Sequence, residues 1–124
     1  MLKDAEAIAT IAVKDGAAAK HFYGEILGLE TESNDQHEVL TFKCGNSKLI
    51  VYRSQYAGTN QATTANFAVD DVTAEVAALE AKGVKFERYE MPGVKHEGSV
   101  HVFGEFKTAW FKDPDGNILS LVSR

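Results

Sequence analysis

The chain contains one cysteine, Cys44, so no disulfide can form within it. It has no apolar run approaching the roughly 20 residues that a membrane-spanning helix needs, because Lys, Asp, Glu or His interrupts every apolar stretch. The opening MLKDAEAIAT has neither the basic start nor the continuous apolar segment of an export signal. These absences set the expectation of a soluble, cytoplasmic protein with no membrane partner. The sequence also lacks any Lys/Arg cluster that would track a phosphate backbone. Its 13 basic and 18 acidic residues are scattered and give a net charge of −5, so nucleic acid is not expected as a partner. An acidic excess of that size favours cationic ligands only weakly and otherwise marks a solvated surface. No GxSxG-like elbow is present to position a nucleophilic serine.

What is present has the size and mixture of one compact domain: 124 residues, 44% hydrophobic and 25% charged. The segment AEAIATIAVKD predicts a buried strand. Asp15 is placed to cap a helix over GAAAKHFYGEIL, in which Ala19, Phe22, Tyr23, Ile26 and Leu27 fall at helical spacing, and Gly28 stands where that helix should stop. A weaker strand in LETESND precedes HEVLTFKCGNSKLIVYRS, where Gly45-Asn46 between two apolar runs predicts a hairpin. QYAGTNQATT lacks periodicity and reads as a linker.

The second half repeats this plan. TTANFAVDD predicts a strand ending in acidic caps, and VTAEVAALEAKG a helix with Val72, Val76 and Leu79 on one face, closed by Gly83. VKFERYE predicts the next strand, MPGVKHEG a loop, and the remainder the last strands around a turn at Asp113–Asn117. IAVKD at 11–15 superposes on FAVDD at 67–71, and Gly28 and Gly83 lie 55 apart. Such self-similarity at half the chain length points to two related βαβββ modules. Their expected bounds are about 5–54 and 63–124, joined by a linker at about 55–62, all within a single domain spanning 1–124.

Three stretches carry a family resemblance. AVKDGAAAKHFYGEILGLE, VDDVTAEVAALEAKGV and FKDPDGNILSL, in this order, resemble the vicinal oxygen chelate superfamily, which includes glyoxalase I, extradiol dioxygenases, fosfomycin resistance enzymes and bleomycin resistance proteins. The resemblance covers essentially the whole chain. It implies an α+β fold in which paired βαβββ modules form a curved, half-barrel mixed sheet around a cleft for a small ligand, commonly in a homodimer.

Metal-dependent members of that superfamily place a ligand on the first and last strands of each module, typically His and Glu. A divalent metal needs three or four such groups converging at about 2.0–2.2 Å. By the resemblance those positions fall here on Ile8, Thr64, Ser120 and Ile50, none of which is His, Asp or Glu. The expectation is therefore a site without a metal and without a cofactor. The other candidate ligands are His21, His37, His96, His101 and Cys44. His96 and His101 lie five apart, whereas same-face neighbours on one strand differ by even numbers. A rebuilt site from these residues stays open as an alternative. Cys44, before a hairpin turn, reads as structural.

The lining of the cleft then carries the functional expectation. Strand alternation puts Ile8, Thr10 and Ala12 on one face, and Thr64, Asn66 and Ala68 on another. Ile50 and Tyr52, Thr108 and Trp110, and Ile118, Ser120 and Val122 complete the cleft surface. His96, His101, Phe103 and Phe106 belong to a glycine-rich segment, YEMPGVKHEGSVHVFGEF, that reads either as a lid whose side chains reach the cleft mouth or as a surface connection. The ligand-binding set is thus Ile8, Thr10, Ile50, Tyr52, Thr64, Asn66, His101, Thr108, Trp110 and Ser120. An indole, a phenol and a few hydroxyl and amide groups suit a flat, partly apolar small organic ligand. Two functions follow: a binding protein of the bleomycin resistance type with a metal-free cleft, or a glyoxalase-type lyase or dioxygenase-like enzyme with displaced metal ligands or acid/base chemistry from His101 or Glu105. A third reading is a partner-binding module whose cleft is plugged by Trp110.

Overall fold

The computed structural model describes residues 1–33 and 39–124, and the chain divides into two compact units, Met1–Gly58 and Thr59–Arg124. The fold is α+β, with a mixed sheet in each unit and few helices. Each unit carries its own mixed sheet, in agreement with the expected α+β fold.

The first unit holds β1 (Ala9–Val13), helix α1 (Gly16–Ala19) with its continuation Lys20–Ile26, β2 (Glu30–Ser33), β3 (Val39–Cys44) and β4 (Ser47–Arg53). The sheet order is β1-β4-β3-β2, with β1 parallel to β4 and the remaining pairs antiparallel. Alternation along the strands buries Ile11, Val13, Leu40, Phe42, Leu49 and Val51 on one face. The helix presses Phe22 and Tyr23 into that core, with the Tyr23 ring 6.0 Å from Phe42. Asp15 does cap the helix, accepting from the Ala17 N–H at 2.9 Å. After Ala19, however, the winding widens to a π-helix, with the Leu27 N–H donating to the Phe22 carbonyl five residues back at 2.9 Å. Gly24 sits mid-way along this stretch, where a residue without a side chain gives α-helical winding the least support. At the hairpin, Cys44 pairs with Ser47 across Gly45-Asn46, and Gly45 adopts a positive φ of 55° that the tight turn demands.

The second unit holds β5 (Thr63–Val69), α2 (Val72–Ala81), β6 (Phe86–Glu87), β7 (Lys95–Glu97), β8 (Val100–Phe103), β9 (Phe106–Lys112) and β10 (Ile118–Ser123). The order is β5-β10-β9-β8-β7, with β6 also pairing with β9 and β5 parallel to β10. The strand order of the first unit is therefore repeated and then extended by one strand. Asp71 caps α2 by accepting from the Ala74 N–H at 3.0 Å. Val72, Val76 and Leu79 are buried, and α2 packs on the sheet face that carries Val100, Ala109, Phe111, Leu119 and Leu121. The β9–β10 turn is tied by Asp113, whose carboxylate accepts from the backbone N–H groups of Asp115 and Asn117 and from the Asn117 amide.

Two sequence expectations change here. The strand VKFERYE contracts to Phe86–Glu87, and MPGVKHEG is not all loop, because Lys95–Glu97 pairs with β8. Part of the segment expected to form a lid or a surface connection is thus strand, and its glycines form turns. Gly98 and Gly104, with φ of 63° and 62°, close the β7–β8 and β8–β9 hairpins.

Candidate functional site

The face of the second sheet opposite α2 brings together most of the polar and aromatic candidates. Residues paired directly across neighbouring strands project to the same side. Asn66, Ser120, Trp110 and Glu87 form one such row across β5, β10, β9 and β6. Ala68, Val122, Thr108, His101 and His96 form the next, across β5, β10, β9, β8 and β7. Ser120 is buried and its hydroxyl donates to the Asn66 side-chain carbonyl. Asn66 itself is exposed, so the other end of its carboxamide faces solvent.

Trp110 is half-buried at the centre of this face. Its indole N–H donates to the Thr63 hydroxyl at 3.1 Å, which fixes the ring plane. Tyr89 stands edge-on to it at 5.3 Å and His101 edge-on at 4.8 Å. Glu87, beside Trp110 in the row, is 3.3 Å from the Lys112 ammonium, so its charge is matched locally.

His101 is fully buried and both of its ring nitrogens are engaged. Nε2 accepts from the backbone N–H of Tyr89 at 2.9 Å, so the proton of the neutral ring is on Nδ1, which donates to the Ser99 carbonyl at 3.0 Å. Burial, with a smaller contribution from the neighbouring His96, pushes the His101 pKa below the usual histidine value. His96 is the cross-strand partner of His101, with ring centroids 4.7 Å apart, and its Nε2–H donates to the Tyr89 carbonyl at 3.0 Å. A buried, neutral His101 with both nitrogens occupied is a poor general base and a poor metal ligand.

Of the ten residues expected in the ligand site, the second unit groups Asn66, His101, Thr108, Trp110 and Ser120 on this one face. Thr64 departs from the alternation. The register shifts between Ile118 and Leu119, whose partners are Thr63 and Ala65, so Thr64 falls in a bulge and Thr63 takes the place beside Trp110. In the first unit, Thr10 with Ile50 and Ala12 with Tyr52 pair across β1 and β4 on the face away from the helix. Ile8 precedes the strand and is exposed.

Sequence reasoning missed Tyr89 and Thr63, and it named His96 without pairing it with His101. A signal existed for the histidines: Gly98-Ser99 is a two-residue hairpin loop, which sets Glu97 opposite Val100 and therefore His96 opposite His101. The interval of five, unsuited to a single strand, is what a hairpin brings face to face.

The other candidates do not build a site. His21 is exposed and pairs with Glu25 at 2.6 Å on the helix surface. Glu105 is an exposed turn residue, and Cys44 is half-buried with its thiol pKa raised by burial, which favours the unreactive protonated form. His37 lies outside the described residues. Two surface depressions of about 360 and 310 Å³ occur in the first unit, lined by Ala17, Lys20, His21, Gly24, Glu25 and Thr31, and by Lys14, Arg53, Ser54 and Gln55. Both are open, and neither has an aromatic wall. We give the Trp110 face precedence because it combines a fixed indole with buried polar groups.

The sequence model of the Glyoxalase/Bleomycin resistance protein/Dioxygenase superfamily matches residues 7–121. The chain belongs to this superfamily. Solved structures share the fold of this glyoxalase-superfamily chain at low identity. A lactoylglutathione lyase from Agrobacterium tumefaciens is 21% identical with a TM-score of 0.73, the match covering 99% of this chain and 96% of that one. A glyoxalase family protein from Enterococcus faecalis is 25% identical with a TM-score of 0.72, covering 98% and 99%. A glyoxalase/bleomycin resistance protein from Streptomyces sp. CB03234 is 22% identical with a TM-score of 0.63, covering 94% and 98%. Among proteins of curated function, none matches the sequence.

Superfamily membership raises the question of a divalent metal, and the donor set among the described residues does not fit one. Ile8, Ile50, Thr64 and Ser120 offer no imidazole or carboxylate, and Ser120 already donates to Asn66. Among the described residues no group of three or more His, Cys, Asp or Glu side chains converges to hold a metal ion.

Proposed function

We propose that this glyoxalase-superfamily chain is a small-molecule-binding protein of the bleomycin resistance type, which holds a flat organic ligand against the Trp110 face without a metal. The observation that carries this reading is the state of Trp110. Its N–H is satisfied by Thr63 and its ring is braced edge-on by Tyr89 and His101, so its remaining capacity is stacking. Asn66 supplies a solvent-facing amide next to the ring, and Ser120 holds that amide in place. This combination gives a planar ligand area for stacking and one directional hydrogen bond. A lyase or dioxygenase reading lacks equivalent support, because the acid/base candidate His101 has no unengaged nitrogen and no set of metal donors converges among the described residues.

Trp110 is the only tryptophan, so its emission reports the site directly. Titration with bleomycin and with a panel of planar aromatic cations and neutral heterocycles should give saturable, one-to-one quenching for at least one compound, with calorimetric binding lost in Trp110→Ala. A panel that leaves the emission unchanged up to millimolar concentration counts against the reading. We further propose a cytoplasmic homodimer. Light scattering coupled to size exclusion should give a mass of twice 13.5 kDa, and a value of 13.5 kDa contradicts it.

A further inference from the structure

The segment between β6 and β7, residues 88–94, carries Tyr89 to the Trp110 face, and the way it is held there has a chemical consequence. Among the described residues it has no strand pairing, and its internal order comes from a turn in which the Val94 N–H donates to the Met91 carbonyl at 3.3 Å. The backbone of Tyr89 is fastened to the sheet by two imidazoles. Its N–H donates to His101 Nε2 and its carbonyl accepts from His96 Nε2–H. The two histidines are cross-strand partners on β7 and β8, so one residue of an otherwise unpaired segment is gripped at both ends by one hairpin. The two grips respond differently to protons. His96 donates to a carbonyl, a bond that imidazolium makes as well as imidazole does. His101 accepts, and an imidazolium has no acceptor: a second N–H on His101 points directly at the Tyr89 N–H.

We propose that His101 and His96 form a latch on Tyr89, and that protonation of His101 opens it, withdrawing the Tyr89 ring from Trp110 and making the Trp110 face a pH-dependent binding surface. Its last clause rests on the ligand reading above, whereas the latch itself is a property of the ligand-free protein. The groups facing His101 are few. β7 contributes His96, the 88–94 segment contributes the Tyr89 phenol, and β9 contributes Thr108 and Trp110, which do not titrate in the relevant range. Glu97 and Lys107 pair with each other at 3.3 Å, and their register partners Val100 and Val102 flank His101, which puts them on the opposite face. Arg88 and Glu90, on either side of Tyr89, are exposed and pair at 3.8 Å. Glu87, beside Trp110 on the same face, is the nearby carboxylate among the described residues of this unit; it pairs with the Lys112 ammonium at 3.3 Å, and no ion pair joins it to His101, so burial with the adjacent His96 keeps His101 neutral near pH 7.

The test is long-range ¹H–¹⁵N correlation of the imidazoles in the ligand-free protein, followed from pH 8 to 5 together with the Tyr89 amide and the Trp110 indole. At pH 8 His101 should be the Nδ1–H tautomer and His96 the Nε2–H tautomer. As pH falls, protonation of His101 should move the Tyr89 amide and the Trp110 indole with one shared midpoint lying below 6.5. The same shared transition should persist in His96→Gln, whose amide keeps a donor for the Tyr89 carbonyl while removing the second imidazole. A His101 ring found as the Nε2–H tautomer overturns the proposal. So does a Tyr89 amide that ignores the His101 titration, or a transition that vanishes in His96→Gln. Because no ligand is involved, failure of the ligand reading leaves this outcome readable.

Discussion

At the residue scale, the grouping of the candidate residues on one sheet face was legible wherever strand alternation ran unbroken. Asn66, Ser120, Thr108 and Trp110 share a face because β5, β9 and β10 keep a period of two, and that period is visible in the sequence. It failed at Thr64, because a bulge inserts one extra residue and nothing in ATTANF announces which position it takes. Two single-residue predictions follow. Ser120→Ala removes the hydroxyl that orients Asn66; since Asn66 is exposed and regains water, the stability cost should stay near 1 kcal/mol, while affinity for any ligand found by Trp110 quenching should fall several-fold. Denaturant unfolding set beside calorimetry separates the two effects. Cys44 should react with a thiol reagent at pH 7 at least about tenfold more slowly in the folded chain than in guanidinium, because burial both shields it and disfavours the thiolate.

At the element scale, caps and turns were the most readable features, because their chemistry is local. Asp15, Asp71, Gly28, Gly83 and the Asp113–Asn117 turn all perform the roles their positions imply. What composition did not reveal was the π-helical winding of Lys20–Ile26 and the division of the 84–103 region into short strands. Both depend on which partners the backbone meets in space rather than on side-chain preference. Asp71→Ala removes the acceptor for the Ala74 N–H and should cost about 1 kcal/mol. Asp113→Ala is the more severe change, because the buried carboxylate accepts from two backbone N–H groups and one amide. About 2–4 kcal/mol is expected from leaving several buried donors unmatched, and a urea midpoint measured for both variants should rank them in that order.

At the scale of the whole molecule, the repeated strand, helix and strand order was legible from internal similarity, and it places one polar and aromatic sheet face opposite the helix in each unit. Function was less legible, since the superfamily fold accommodates many chemistries and its metal positions here carry no donors. The stability profile with pH follows from the groups whose affinities shift. His101 has a folded-state pKa below 6.5, so the unfolded chain binds the proton more readily. Its contribution is therefore complete above about pH 6.5–7 and is lost as pH falls toward the folded-state value. Asp70, held below the usual carboxylate range by its hydrogen bond to Arg124, acts in the same direction at lower pH, although full exposure lets salt screen it. The melting temperature should thus be flat from pH 7 to 8 and decline below 6.5, and His101→Phe should remove the first part of that decline. The central claim, an organic ligand held on the Trp110 face without a metal, is tested most directly by repeating the Trp110 quenching titrations on chelator-treated protein in EDTA and again with Ni²⁺, Zn²⁺ or Mn²⁺ added. The account predicts saturable binding of equal affinity under both conditions. Binding that appears only when a divalent ion is supplied would contradict it.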